Sequence, residues 1–130
     1  MIFGERNMYI LDTSAVIELL YGTEKGQAIR EVVRNEPIFL STLTIHELLV
    51  GFKEKEIPAL KNFFREVSVA DFNLRAAFQS AHIERDLRQK GKLINTVDIL
   101  LGGLCISRGA TLVACDGDFG SVLNLSLKKI

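Results

Sequence analysis

The chain has 130 residues, 48% hydrophobic and 25% charged, with 16 basic and 16 acidic side chains. That length and mix suit one domain around one apolar core and exclude a disordered chain. A formal net charge of zero removes any bulk attraction to nucleic acid, so such a contact would need a local basic patch.

Met1 to Asn7 carries no pattern and reads as a loose tail. Tyr9-Ile10-Leu11 is a short β-prone run, interrupted by Asp12-Thr13-Ser14. Ala15 to Leu20 then reads as helix, with Val16, Leu19 and Leu20 on one face. Thr23 caps a second helix running to about Arg34. Pro37 to Leu40 is the second strand. Ser41 or Thr42 caps the next helix, which holds Leu43, Ile45, Leu48, Leu49 and Phe52. Pro58 opens a helix with Leu60, Phe63 and Phe64 on its apolar side, and Glu66 to Val69 is a short strand. Asn73 to Lys90 is the longest helix, stopped by Gly91. A helix opened by Asn95 or Thr96 runs to Arg108 and is apolar almost all round, which marks it as buried. Its Gly102-Gly103 pair costs helix stability but allows close packing. Thr111 to Ala114 is a strand, and Asn124 to Leu127 is a last edge strand. Strands alternating with helices specify an α/β fold, three layers deep, with a mainly parallel central sheet of four to five strands.

Four carboxylates fall at corresponding points of this plan. Asp12 follows the first strand, and Glu47 lies early in the helix after the second. Asp98 lies in the first turn of the buried helix, and Asp116 follows the strand that ends at Ala114. In a parallel sheet all four converge on the C-terminal edge, where ligands bind. Clustered carboxylates repel one another and call for cations, and oxygen-only ligands suit Mg²⁺ or Mn²⁺. Two such ions can activate a water and stabilise the leaving oxygen of a phosphodiester. Each acid also has a local reading. Asp12 or Ser14 caps a helix, Thr44 to Glu47 and Asn95 to Asp98 match or resemble capping boxes, and Asp116-Gly117 is a turn dipeptide. Four caps gathered at one sheet edge is the less economical explanation.

The ordered set Tyr-Ile-Leu-Asp-Thr-Ser (9–14), Ser-Thr-Leu-Thr-Ile-His-Glu-Leu (41–48), Val-Asp-Ile-Leu (97–100) and Leu-Val-Ala-Cys-Asp-Gly-Asp-Phe (112–119) resembles the PIN-domain ribonucleases. The resemblance is especially to the VapC-type toxins of VapBC toxin–antitoxin modules. The resemblance covers nearly the whole chain from about Met8 and implies one PIN-like nuclease domain over 1–130. It implies that Asp12, Glu47, Asp98 and Asp116 are the catalytic, metal-binding acids. Thr13 or Ser14 would support the first acid, and Asp118 would be an accessory or orienting group. It further implies an RNA substrate, a small VapB-like antitoxin partner and a homodimer. One departure is Ala114, where the family often carries Thr or Ser two residues before the last acid.

His46 and His82 are far apart in sequence and read as structural or surface residues. With two lone Cys they make a closed zinc site a poor fit. Cys105 and Cys115 read as reduced, buried thiols of a cytoplasmic protein. The longest apolar run, Ile99 to Ile106, is too short to span a bilayer, and the N-terminal stretch lacks signal-peptide features. Lys53, Lys55, Arg75, Arg85, Arg88, Lys90 and Lys92 are candidates for RNA phosphates, best in the cluster Arg85, Arg88, Lys90 and Lys92. The leading expectation is a metal-dependent endoribonuclease toxin. The alternatives are a PIN nuclease of RNA maturation or structure-specific DNA cleavage, and a non-catalytic phospho-receiver-like or degenerate binding module. A receiver should carry an acidic pair at its first strand and a late-strand Lys, and neither is evident. A dehalogenase-type phosphatase would want Asp two residues after Asp12, where Ser14 stands.

Overall fold

The computed structural model describes residues 7–130. The expected tail falls outside these residues, Asn7 excepted. The chain runs β1 (Tyr9–Leu11), α1 (Thr13–Tyr21), α2 (Glu24–Val33), β2 (Ile38–Ser41), α3 (Thr42–Gly51), α4 (Ile57–Glu66), β3 (Ser68–Ala70), α5 (Leu74–Gln89), α6 (Thr96–Arg108), β4 (Thr111–Ala114) and β5 (Ser126–Lys129). The expected elements are all present, with shifted ends. β3 starts at Ser68 because Glu66 still closes α4. β5 starts at Ser126, later than the expected Asn124, because Asn124 sits in a left-handed turn at φ 66°.

The five strands form one sheet in the order β3-β2-β1-β4-β5, with every neighbouring pair parallel. Side chains alternate across a strand, so each strand feeds two cores. Leu11, Leu40 and Val113 point to one face, where they meet Val16, Ile29, Leu48 and Leu60 of α1 to α4. Ile10, Leu112 and Ala114 point to the other, against Ala76, Leu101, Leu104 and Cys105 of α5 and α6. Helices thus cover both faces, as an all-parallel sheet requires.

The α5–α6 hairpin shows why the glycine pair matters. A Cβ at Gly103 would lie 2.6 Å from the Ser80 backbone nitrogen and 2.7 Å from its Cα, so only glycine lets α6 approach α5. Gly102 is less demanding, since its Cβ would meet Ile83 Cδ1 at an ordinary 3.6 Å. Because consecutive strands are parallel, the chain crosses the carboxyl edge each time it leaves a strand. That edge receives the start of α1, the start of α3 and the turn after β4.

Candidate active site

β1 ends at Leu11, and the backbone N–H of Asp12 still donates to Val113 O on β4 at 3.0 Å. Asp12 is the N-cap of α1: its Oδ1 accepts the Ala15 N–H at 2.8 Å and the Ser14 hydroxyl at 2.7 Å. Capping and membership of the acid group therefore coincide in one side chain. Asp12 is only 7% exposed. Burial pushes its carboxyl from 3.8 up to about 6, and the charges of Asp98 and Asp116 add to this, while the bonds from Ala15 and Ser14 pull it down.

Ser14 ties the two central strand ends together. Its hydroxyl donates to Asp12 and accepts the backbone N–H groups of Cys115 (3.0 Å) and Asp116 (3.1 Å). One hydroxyl offers one donor and two lone pairs, and here all three are used. This hydroxyl orients the chain at Asp116. Ala114 does not leave a gap there, because it faces the apolar core with Ile10, Leu104 and Phe119.

Glu47 lies in the second turn of α3 and is exposed. Its Oε1 accepts the Thr13 hydroxyl at 2.7 Å. The capping box expected at Thr44–Glu47 does not form. Ser41 caps α3 by accepting the Leu43 N–H at 3.0 Å, and Thr44 is buried inside the helix. Asp98 stands three residues past Asn95, which caps α6 by accepting the Val97 N–H at 2.8 Å. Asp98 is half-buried, and its carboxyl is pushed up first by burial and then by Glu47 and Asp118. Asp116 is exposed on the turn after β4. Gly117 follows at φ 99°, and a Cβ there would strike the Phe119 ring at 2.7 Å and lie 3.5 Å from Asp98 Oδ2.

Asp12, Thr13, Ser14, Glu47, Asp98 and Asp116 line one cleft of about 310 Å³, together with Ile17, Leu101 and Gly117. No basic side chain is among these lining residues. Asp118 is not on the lining and reaches the group through its charge on Asp98. The donor set is all oxygen and in mutual repulsion, which fits a hard divalent cation. Among the described residues no three Asp, Glu, His or Cys side chains close into a ready-made cage.

None of the expected cation cluster lines the cleft. Arg85, Arg88, Lys90 and Lys92 are exposed at the end of α5 and the turn beyond it. Arg88 pairs with Glu84 at 2.8 Å and Lys90 with Asp86 at 2.9 Å. His46 and His82 are also exposed. Lys53 lines a groove of about 420 Å³ that continues from Thr13 and Glu47 past Ile17, Tyr21 and Phe52. The sequence offers Lys53 only as one cation among seven, because nothing in it shows that α1 and α3 run side by side from the acid edge. Cys105 and Cys115 are free and buried, and burial pushes the Cys105 thiol up to about 12.

A parallel five-stranded sheet with an acid-lined cleft at its carboxyl edge defines the class. The PIN domain family model matches residues 9–123, and the chain belongs to that family. Within it, the chain is 26% identical over 129 residues to Ribonuclease VapC2 of Rickettsia felis, covering 93% of this chain and 96% of that protein. It is 26% identical over 112 residues to the tRNA(fMet)-specific endonuclease VapC of Salmonella typhimurium, covering 81% and 83%. Among solved structures, VapBC2 of Rickettsia felis bound to a promoter DNA fragment aligns with a TM-score of 0.83 at 25% identity, over 95% of this chain and 98% of that one.

Proposed function

We propose that this chain is a VapC-type ribonuclease that hydrolyses phosphodiester bonds in RNA with Mg²⁺ or Mn²⁺. We read residues 1–130 as one such domain, the toxin of a pair with a small VapB-like antitoxin, acting as a homodimer in the cytoplasm. The observation that carries the reading is the convergence of Asp12, Glu47, Asp98 and Asp116 on one cleft whose lining holds no basic side chain. The names of its relatives supply the substrate class and the partner. The two buried, unpaired thiols suit a reducing compartment. No helix among the described residues is long and apolar enough to cross a membrane.

Asp12, Asp98, Asp116 and Glu47 would hold the metal, which when bound would activate a water and neutralise charge at the scissile phosphate. The chain's own residues do the positioning. Ser14 and the Ala15 N–H fix Asp12, and the same Ser14 fixes the backbone of Asp116. Thr13 holds Glu47 across the cleft. Asp12, with its carboxyl near 6, is mostly ionised at neutral pH and ready to receive a cation.

The test is cleavage of bulk cellular RNA by the purified chain with Mn²⁺, with chelator, and in the Asp12→Asn and Asp98→Asn variants. Cleavage should need the metal and fall at least about a hundredfold in each variant, the scale of losing electrostatic stabilisation of a transition state. A parallel arm with structured DNA substrates addresses the DNA-nuclease alternative. Undiminished cleavage in chelator, or in both variants, would sink the assignment.

A further inference from the structure

The groove beyond the acids has a feature that metal-dependent hydrolysis does not use. Thr13, Ile17 and Tyr21 are spaced four apart along one face of α1, which puts Tyr21 about 12 Å along the axis from Thr13. The groove shares Thr13, Ile17 and Glu47 with the acid cleft, so the two spaces are continuous. Tyr21 is 60% exposed, yet it is fixed. Its ring stacks on Phe52 with centroids 6.1 Å apart and planes 10° from parallel. Its hydroxyl donates to Glu56 Oε2 at 3.1 Å, and Glu56 Oε1 accepts the Lys53 N–H at 2.9 Å. Lys53 lines the groove, and Lys55 lines the apolar hollow just past the ring pair.

A rigid aromatic face with lysines alongside, joined to the place where a phosphodiester would be cut, matches one ligand chemistry. Single-stranded nucleic acid binds by laying bases on aromatic rings while cations track its backbone. We infer that Tyr21, backed by Phe52, is the stacking platform for a base of the RNA strand whose scissile phosphate lies at the acids. Lys53 and Lys55 take backbone phosphates beside it. Glu56 keeps its negative charge, held below the usual carboxylate range by the Lys53 N–H, and its part here is to fix the ring. The inference rests on the ribonuclease reading and adds where the strand runs.

The test uses short single-stranded homopolymeric RNAs, with Ca²⁺ present to screen the acids, and measures cleavage of bulk RNA by Mn²⁺ separately. The chain has no Trp and two Tyr, Tyr9 and Tyr21, so stacking is visible as quenching of tyrosine fluorescence. Quenching should persist in Tyr9→Phe and vanish in Tyr21→Phe. Tyr21→Ala and Tyr21→Leu should each weaken RNA binding roughly tenfold, within the range for one stacked base, and Tyr21→Phe should restore it. A single abasic position in the RNA should cost the wild type the same factor and cost Tyr21→Ala nothing further. That cycle still reads the contact if Tyr21→Ala is destabilised, because Tyr21→Leu keeps the bulk without the ring. RNA that is bound and cut equally well by the Tyr21 variants would overturn the platform and leave the nuclease reading standing. A protein that neither binds nor cuts RNA would overturn both. Unchanged RNA affinity with loss of a complex with a small protein partner would assign the groove to a peptide and also overturn the platform.

Discussion

The first turn of α6 and its middle differ in what they face. The middle, from Leu101 to Cys105, is buried throughout, and Gly103 presses its backbone against Ser80 with no room for one more carbon. The first turn instead presents Asp98, half-buried, to the like charges of Glu47 and Asp118. One helix thus carries both a close-packed contact and a repulsive one, a single turn apart. Local conflict of this kind concentrates at functional sites and is offset by packing elsewhere.

The largest expected effect breaks the packed side of the comparison. Gly103→Ala puts a methyl carbon on the Ser80 backbone, and overpacking of this kind should cost about 3 kcal/mol. Denaturant unfolding should show the loss, whereas Gly102→Ala, with ordinary 3.6 Å contact, should be far milder. Equal losses in the two would mean that the close approach at Ser80 is not what restricts the helix pair.

The next effect reads the repulsive side through pH. Asp12 has a folded-state value of about 6 against 3.8 unfolded, so the folded chain binds its proton more tightly. That contribution is fully present below about pH 4, is lost as pH rises through about 6, and changes no further above that. In chelator, stability should fall across this window by roughly 2–3 kcal/mol from Asp12 alone. Asp12→Asn keeps a capping side chain and should lack that fall. A wild-type profile parallel to that of Asp12→Asn would show that the carboxyl is not held out of water.

A smaller effect tests the link between the two strand ends. Ser14→Ala removes the donor to Asp12 and the acceptor of two backbone N–H groups, which should cost about 1–2 kcal/mol. It also deletes a bond that lowers the Asp12 value, so the pH fall should move to higher pH. Ala114→Ser, by contrast, would place a hydroxyl in the apolar core and should bring no gain. A benefit from that substitution would contradict the assignment of Ser14 as the orienting group.

Much of this was legible in the sequence, for identifiable reasons. The run Tyr9-Ile10-Leu11 before Asp12, the cap at Thr23 and the glycine stop at Gly91 are local signals, and each stands where the spacing puts it. The four acids were legible because a parallel sheet sends every strand end to the same edge. What was hidden depends on contacts distant in sequence. Nothing local pairs Thr13 with Glu47, or Ser14 with Cys115 and Asp116. Nothing local brings Tyr21 onto Phe52. The cation cluster at 85–92 stands out in the sequence by charge density, and its i,i+4 pairs of Arg88 with Glu84 and Lys90 with Asp86 are local signals too.

The most direct measurement is the melting temperature of wild type and Asp98→Asn, each in chelator and in Mn²⁺. If the acids share one cation site, removing the Asp98 charge relieves repulsion. The variant should then melt higher than wild type in chelator, because burial and the charges of Glu47 and Asp118 both disfavour the ionised carboxyl. Mn²⁺ should raise the wild type by mass action on the folded state and move the variant far less, reversing their order. If Asp98 serves only the start of α6, its removal loses a favourable charge worth roughly 0.3–1 kcal/mol. The variant would then melt below wild type in chelator, with Mn²⁺ shifting neither, and the shared metal site would be wrong.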